Sequence, residues 1–104
     1  MNTATYKSHY GWKSETAIDI GNCQEIRIVT MKRFGGALVT NAQCVRVEGD
    51  MISHMLFSDF SKSYKNVVVR CTEKTVLAQH TEVLDQIEQI KADCAAFYAG
   101  THED

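Results

Sequence analysis

Three groups of side chains in this 104-residue chain are of types that do chemistry. The first is the pair His54 and His80. Imidazole titrates near neutrality and serves as acid, base or metal ligand. Gln43 falls on the face expected for His54, where its amide can orient a ring. Two histidines without a third ligand make a poor zinc site, and no Ser or Cys is assured a place beside them as nucleophile. Half-buried histidines bonded to backbone or water account for the same residues, so the expectation is neither metal nor cofactor.

The second group is Arg27, Arg46 and Arg70, which simple hairpin registers place in one stripe with Ser53, Met55 and Phe57. Guanidinium groups among apolar residues suit a carboxylate or phosphate ligand. They suit the flat interface of a homodimer equally well. The third group gathers Lys32, Arg33, Lys62 and Lys65, together with Lys13, at hairpin tips beside Trp12, Phe34, Phe60 and Tyr64. Basic and aromatic side chains together attract single-stranded nucleic acid, although lysines at hairpin tips are also ordinary solubilising residues. A formal charge of −2 provides no global attraction to polyanions, so nucleic acid is an unfavoured partner.

Other chemistry is excluded by spacing. Cys23, Cys44, Cys71 and Cys94 are far apart, with no Cys-x-x-Cys pair for zinc or thiol exchange, and they read as small apolar residues. There is no phosphate-binding glycine loop and no paired-carboxylate motif. Met1 to Thr5 show no basic run leading into an apolar stretch, and no segment reaches the ~18 apolar residues of a membrane span. A cytoplasmic protein with no membrane partner is expected.

The elements that must position these groups follow from periodicity. Up to about Cys71 the apolar residues alternate as in strands, and beyond Glu73 they recur as in a helix. Strands are expected at Thr5–Gly11, Thr16–Ile20, Glu25–Phe34, Ala37–Glu48, Met51–Phe60 and Tyr64–Cys71. Two-residue hairpins at Gly35-Gly36 and Gly49-Asp50 and a longer turn at Ser61–Ser63 would join the last four. Facing residues then sum to 71, 99 and about 123, which assigns Ile26, Ile28, Val45, Val47, Ile52, Leu56, Val67, Val69 and Cys71 to a core face. Arg27, Val29, Met31, Cys44, Arg46, Ser53, Met55, Phe57, Val68 and Arg70 fall on the reverse. A single bulge would invert one strand.

Thr72 is the expected cap of a helix ending near Gly100, with the buried stripe Val76, His80, Val83, Ile87, Ile90, Cys94 and Phe97. The fold class is therefore α+β: an antiparallel meander of five or six strands, then one long C-terminal helix packed across one face. The function best matched to it is a small homo-oligomeric binding module, holding a small ligand or protein partner between curved sheet and helix or on the arginine-lined face. An enzyme using His54 and His80, and a single-strand nucleic-acid binder, are the alternatives.

Overall fold

The computed structural model describes residues 2–33, 35–48, 51–52 and 59–101. Four strands run as an antiparallel meander: β1 (Asn2–Ser8), β2 (Gly11–Gly21), β3 (Gln24–Lys32) and β4 (Ala37–Glu48). β5 (Met51–Ile52) and β6 (Ser61–Val68) both pair with β4. Since β3 occupies the other edge of β4 from Leu38 to Arg46, β5 and β6 must share one lane, making six strands in five lanes. Eight residues separate Ile52 from Ser61, against three between their partners Val47 and Gln43, so the lane cannot be one continuous strand.

Two departures from the expected meander follow. Ser61–Ser63 is not a turn but the start of β6, lying opposite Gln43, Ala42 and Asn41. β6 also lies beside β4 rather than beyond a neighbour formed by 51–60. It therefore runs the opposite way to the expected last strand, and the helical segment begins at the other end of the sheet. We call that end the upper one. It carries the β1–β2 turn at His9-Tyr10, the β3–β4 connection and Cys71, whose thiol reaches the Trp12 carbonyl at 3.5 Å. The lower end carries the β2–β3 turn, where Asn22 and Cys23 both have positive φ (56° and 59°), the backbone of a type I′ hairpin.

The second correction is one of register. β4 pairs with β5 as expected, Glu48 opposite Met51. Between β3 and β4, however, Ile26 faces Cys44, Ile28 faces Ala42 and Thr30 faces Thr40. Pairing extends to Arg33, whose N–H donates to the Ala37 carbonyl at 2.8 Å, so three residues rather than two join the strands. One extra loop residue exchanges the faces of β4. Leu38, Thr40, Ala42 and Cys44 point to the core, while Asn41, Gln43 and Val45 lie on the reverse.

The helical segment is two helices, α1 (Glu73–Leu84) and α2 (Ile87–Thr101). Thr72 caps α1 with its hydroxyl accepting from the Thr75 N–H, and the Thr75 hydroxyl returns to the Thr72 N–H. The break is slight: Asp85 keeps a helical backbone, and Gln86 N–H donates to the Val83 carbonyl, one residue short of an α-helical bond. Val76, His80, Val83, Ile90 and Cys94 are buried, and Ile87 and Phe97 partly so, which is the stripe expected from periodicity. Ile18, Ile26, Ile28, Ala42, Cys44 and Phe60 meet Val83, Ile90 and Cys94 in one apolar cluster. Each large side chain buried there stabilises the fold by about 1.5–3 kcal/mol.

Candidate functional site

His80 is fully buried, and both its ring nitrogens are engaged. Nε2 lies 2.7 Å from the Thr16 hydroxyl and Nδ1 lies 2.8 Å from the Thr30 hydroxyl. Thr30 meets Thr40 at 2.7 Å, Thr16 meets Thr3 at 2.8 Å, and the Gln79 amide donates to both the Thr40 hydroxyl (3.1 Å) and the Leu38 carbonyl (2.9 Å). The Leu38 carbonyl can only accept, so it fixes the amide, and the amide fixes the rest. Gln79 donates to Thr40, Thr40 to Thr30, and Thr30 to His80 Nδ1. Nε2 then carries the proton and donates to Thr16, which donates to Thr3 at the open edge of the sheet. Reversing the chain would leave the Thr40 proton without an acceptor among the described groups.

The imidazole is held neutral. Burial lowers its pKa to about 4, against a weaker pull upward from the Glu15 charge. With both nitrogens bonded inside the protein, neither faces a substrate or a metal. The ring ties α1 to β2 and β3, and Gln79 extends the tie to β4. Among the described residues no three His, Cys, Asp or Glu side chains converge as metal ligands.

Below this network the interior changes character. A cleft of about 390 Å³ opens between the lower ends of β2 and β3 and one side of α2, lined by Asp19, Ile20, Ile26, Lys91, Cys94, Ala95 and Tyr98. Burial, helped by the neighbouring Cys44, raises the Cys94 thiol to about 11, so it lines the cleft as an apolar group and not as a thiolate. Burial likewise raises the Tyr98 phenol, whose oxygen accepts from the Phe60 N–H at 3.3 Å and donates to Asp59. Lys91 and Asp19 supply opposite charges at the rim.

Comparison with family models, with curated proteins and with solved structures finds no match to this chain. The reading of function therefore rests on the geometry alone.

The structure brings together few of the residues singled out from sequence. Arg27 lies on the reverse face of β3, bonded to Glu25 at 3.2 Å. Arg46 faces Gln24 near the lower end of β4 and is exposed, on the face opposite to Arg27. Arg70 lies in the link before α1, at the upper end. The stripe of three arginines is dispersed, because the β3–β4 register differs by one residue and β6 runs in the other direction. Gln43 pairs with Arg27 on the reverse face, away from His80. Ser53, His54, Met55 and Phe57 lie outside the described residues.

The basic cluster also divides. Lys32 and Arg33 stay at the upper hairpin, while Lys62 pairs with Asp93 at 3.2 Å and Lys65 pairs with Glu82, both across to the helices. Phe60 is buried in the core, and the Tyr64 hydroxyl donates to Asp93 at 2.7 Å. Burial and that carboxylate raise the Tyr64 phenol, while the bonds from Tyr64, Gln89 and Lys62 lower Asp93. These side chains fasten the sheet edge to α1 and α2. Of the cleft residues, Tyr98 widens the apolar side of the helical stripe and Ile20 ends the expected strand Thr16–Ile20, but nothing in the sequence marks a cleft between them, since small residues recur along α2 at Ala92, Ala95, Ala96, Ala99 and Gly100.

Proposed function

We propose that the protein is a binding module that takes a small apolar molecule with one polar end into the cleft between the sheet and α2. The observation that carries this reading is the cleft itself. Its volume lies in the ~300–1,000 Å³ range of ligand sites, its lining is largely aliphatic and aromatic, and its two charged side chains, Asp19 and Lys91, are exposed. Catalysis is disfavoured on the same geometry. The neutral imidazole is consumed by two threonine hydroxyls, and the thiol at the cleft is protonated at neutral pH.

The reading is tested with indole and octanoate as probes, followed by amide NMR shifts. Saturable shifts confined to Ile20, Ile26 and residues 91–98 are expected, with dissociation constants of about 1 mM or tighter. Ala95 is exposed, so Ala95→Trp fills the opening without disturbing the core and should abolish those shifts at unchanged melting temperature. Shifts absent for both probes, or unaffected by Ala95→Trp, would discard the reading.

A further inference from the structure

The reverse face of the sheet holds a second concavity, unconnected with the cleft. It measures about 200 Å³ and is lined by Lys13 and Glu15 of β2, Arg27, Val29 and Met31 of β3 with Arg33 just beyond, and Asn41 and Gln43 of β4. Register explains its shape. Residues 27, 29, 31 and 33 alternate onto one face, so two guanidinium groups stand at the ends of a floor made by Val29 and Met31. Val29 faces Glu15 on one side and Asn41 on the other, and Arg27 faces Gln43.

Charge in the groove is unbalanced. Lys13 is paired with Glu15 at 2.9 Å, and Arg27 with Glu25. Burial alone would raise the Glu15 carboxyl, but bonds from Lys13 and Tyr6 and the charges of Lys13 and Arg27 lower it, so it stays ionised and holds Lys13 in place. Arg33 is exposed and has no carboxylate partner among the described residues. One full positive charge is therefore left over, on a planar group suited to bidentate contact with an oxyanion.

A second observation bears on what the groove accepts. The Asn41 side-chain oxygen is buried and has no hydrogen-bond partner, alone among the buried side-chain polar atoms described. Leaving such an acceptor unsatisfied is costly, and a group that meets it must donate a proton. A simple carboxylate supplies only acceptors.

We infer that this groove is a binding site for a small hydroxylated anion, its charge held by Arg33 and Arg27 and its hydroxyl donating to Asn41 Oδ1. Two pairs of probes separate the two requirements: citrate against tricarballylate and malate against succinate, the second member of each pair lacking only the hydroxyl. Amide and guanidinium NMR shifts are followed at about 0.15 M salt, where contacts between exposed charges separated by more than a Debye length are largely screened.

The expected result is saturable shifts at Arg27, Val29, Arg33, Asn41 and Gln43, with the hydroxylated member of at least one pair binding about tenfold more tightly. Arg33→Gln should weaken both members of that pair equally. Asn41→Val should remove the preference and leave some affinity. If Asn41→Val does not fold, the citrate–tricarballylate and malate–succinate pairs on the unaltered protein still decide. Equal affinity within both pairs, shifts scattered over surface lysines, or a concentration-dependent dimer dissociated by Arg33→Glu would each overturn the inference, the last because a second copy would then occupy the face. Failure at this groove leaves the cleft untouched, since the two sites share no lining residue.

Discussion

The interior under α1 and the interior under α2 are built by opposite means. The upper half is a lattice of hydroxyls: Thr3 and Thr5 bond across to Thr16 and Ser14, and Thr16, Thr30 and Thr40 converge on His80 and Gln79. The lower half is aliphatic, with Ile18, Ile26, Ala42 and Cys44 under Ile90 and Cys94, and it leaves a cleft open. Hydrogen bonds are directional, so the upper half is satisfied by one register only. A one-residue slip of β4 would turn Thr40 outward and strand Thr30 and Gln79 in the core. Apolar contact has no such demand, which is why vacancy is tolerated below and not above. The polar network specifies the sheet, and the apolar half leaves the cleft in which the proposed ligand would sit.

The most severe way to break this contrast is to remove its centre. His80→Ala deletes a fully buried ring and leaves the Thr16 and Thr30 hydroxyls without their partner, so urea unfolding should show a loss of about 4 kcal/mol. Ile90→Val, which trims an equally buried side chain on α2, should cost only about 1 kcal/mol. If the two losses are alike, the upper half is no more specified than the lower.

The legible and illegible parts of this fold divide along the same physical line. Helical periodicity placed His80, Val83, Ile90 and Cys94 on the buried stripe because a 3.6-residue repeat does not depend on anything distant in sequence. Ala37–Glu48 was readable as a strand to the residue. Which face of that strand meets the helices was not, because it depends on whether two residues close the hairpin after Phe34 or three after Arg33, and glycines at 35 and 36 permit either. The valines at 45 and 47 favoured the wrong face: Val45 is buried as expected, but on the reverse side of the sheet. They look more like core than Thr40, Ala42 and Cys44, yet the small and hydroxylated residues are the ones His80 and Gln79 require. The direction of β6 was hidden as well, since no local signal says that Ser61–Ser63 begins a strand. The expected histidine site was half legible: His80 is interior, but its partners are threonines from two strands, a combination with no sequence spacing to reveal it.

A gentler way to sharpen the contrast uses protons. His80 takes up its proton with a pKa near 6.5 when unfolded and only near 4 when folded. Between these values the unfolded chain binds more protons, so stability falls as pH drops from about 6.5 to 4 and levels off below. The lowered carboxyls of Glu15 and Asp93 begin to act only near and below their ordinary values of 4.5 and 3.8, leaving the upper part of the window to His80. The loss should be no more than about 2 kcal/mol once water relaxes around the charged ring. It should be absent in His80→Gln, and cleft variants such as Ala95→Trp should retain it. A melting temperature flat from pH 6.5 to 4.5 would contradict the buried neutral imidazole.

The smallest effect lies in the turns that close the two ends. At the upper end Gly11 has φ +120° and sits against the Cys71 sulfur, which a Cβ would meet at 3.3 Å, so Gly11→Ala is strained in backbone and crowded in space. At the lower end Cys23 occupies a left-handed position of the type I′ turn with φ 59° and an exposed side chain. A residue with a Cβ pays about 1 kcal/mol or more in that conformation, and glycine does not. Glycine also loses more freedom on folding, so the net gain from Cys23→Gly should be about 0.5–1 kcal/mol, seen as a rise in urea midpoint at unchanged slope. Gly11→Ala should move the midpoint the other way by at least as much. A destabilising Cys23→Gly would mean that this side chain contributes something at the lower end beyond its backbone, and the looseness ascribed to that half would have to be given up.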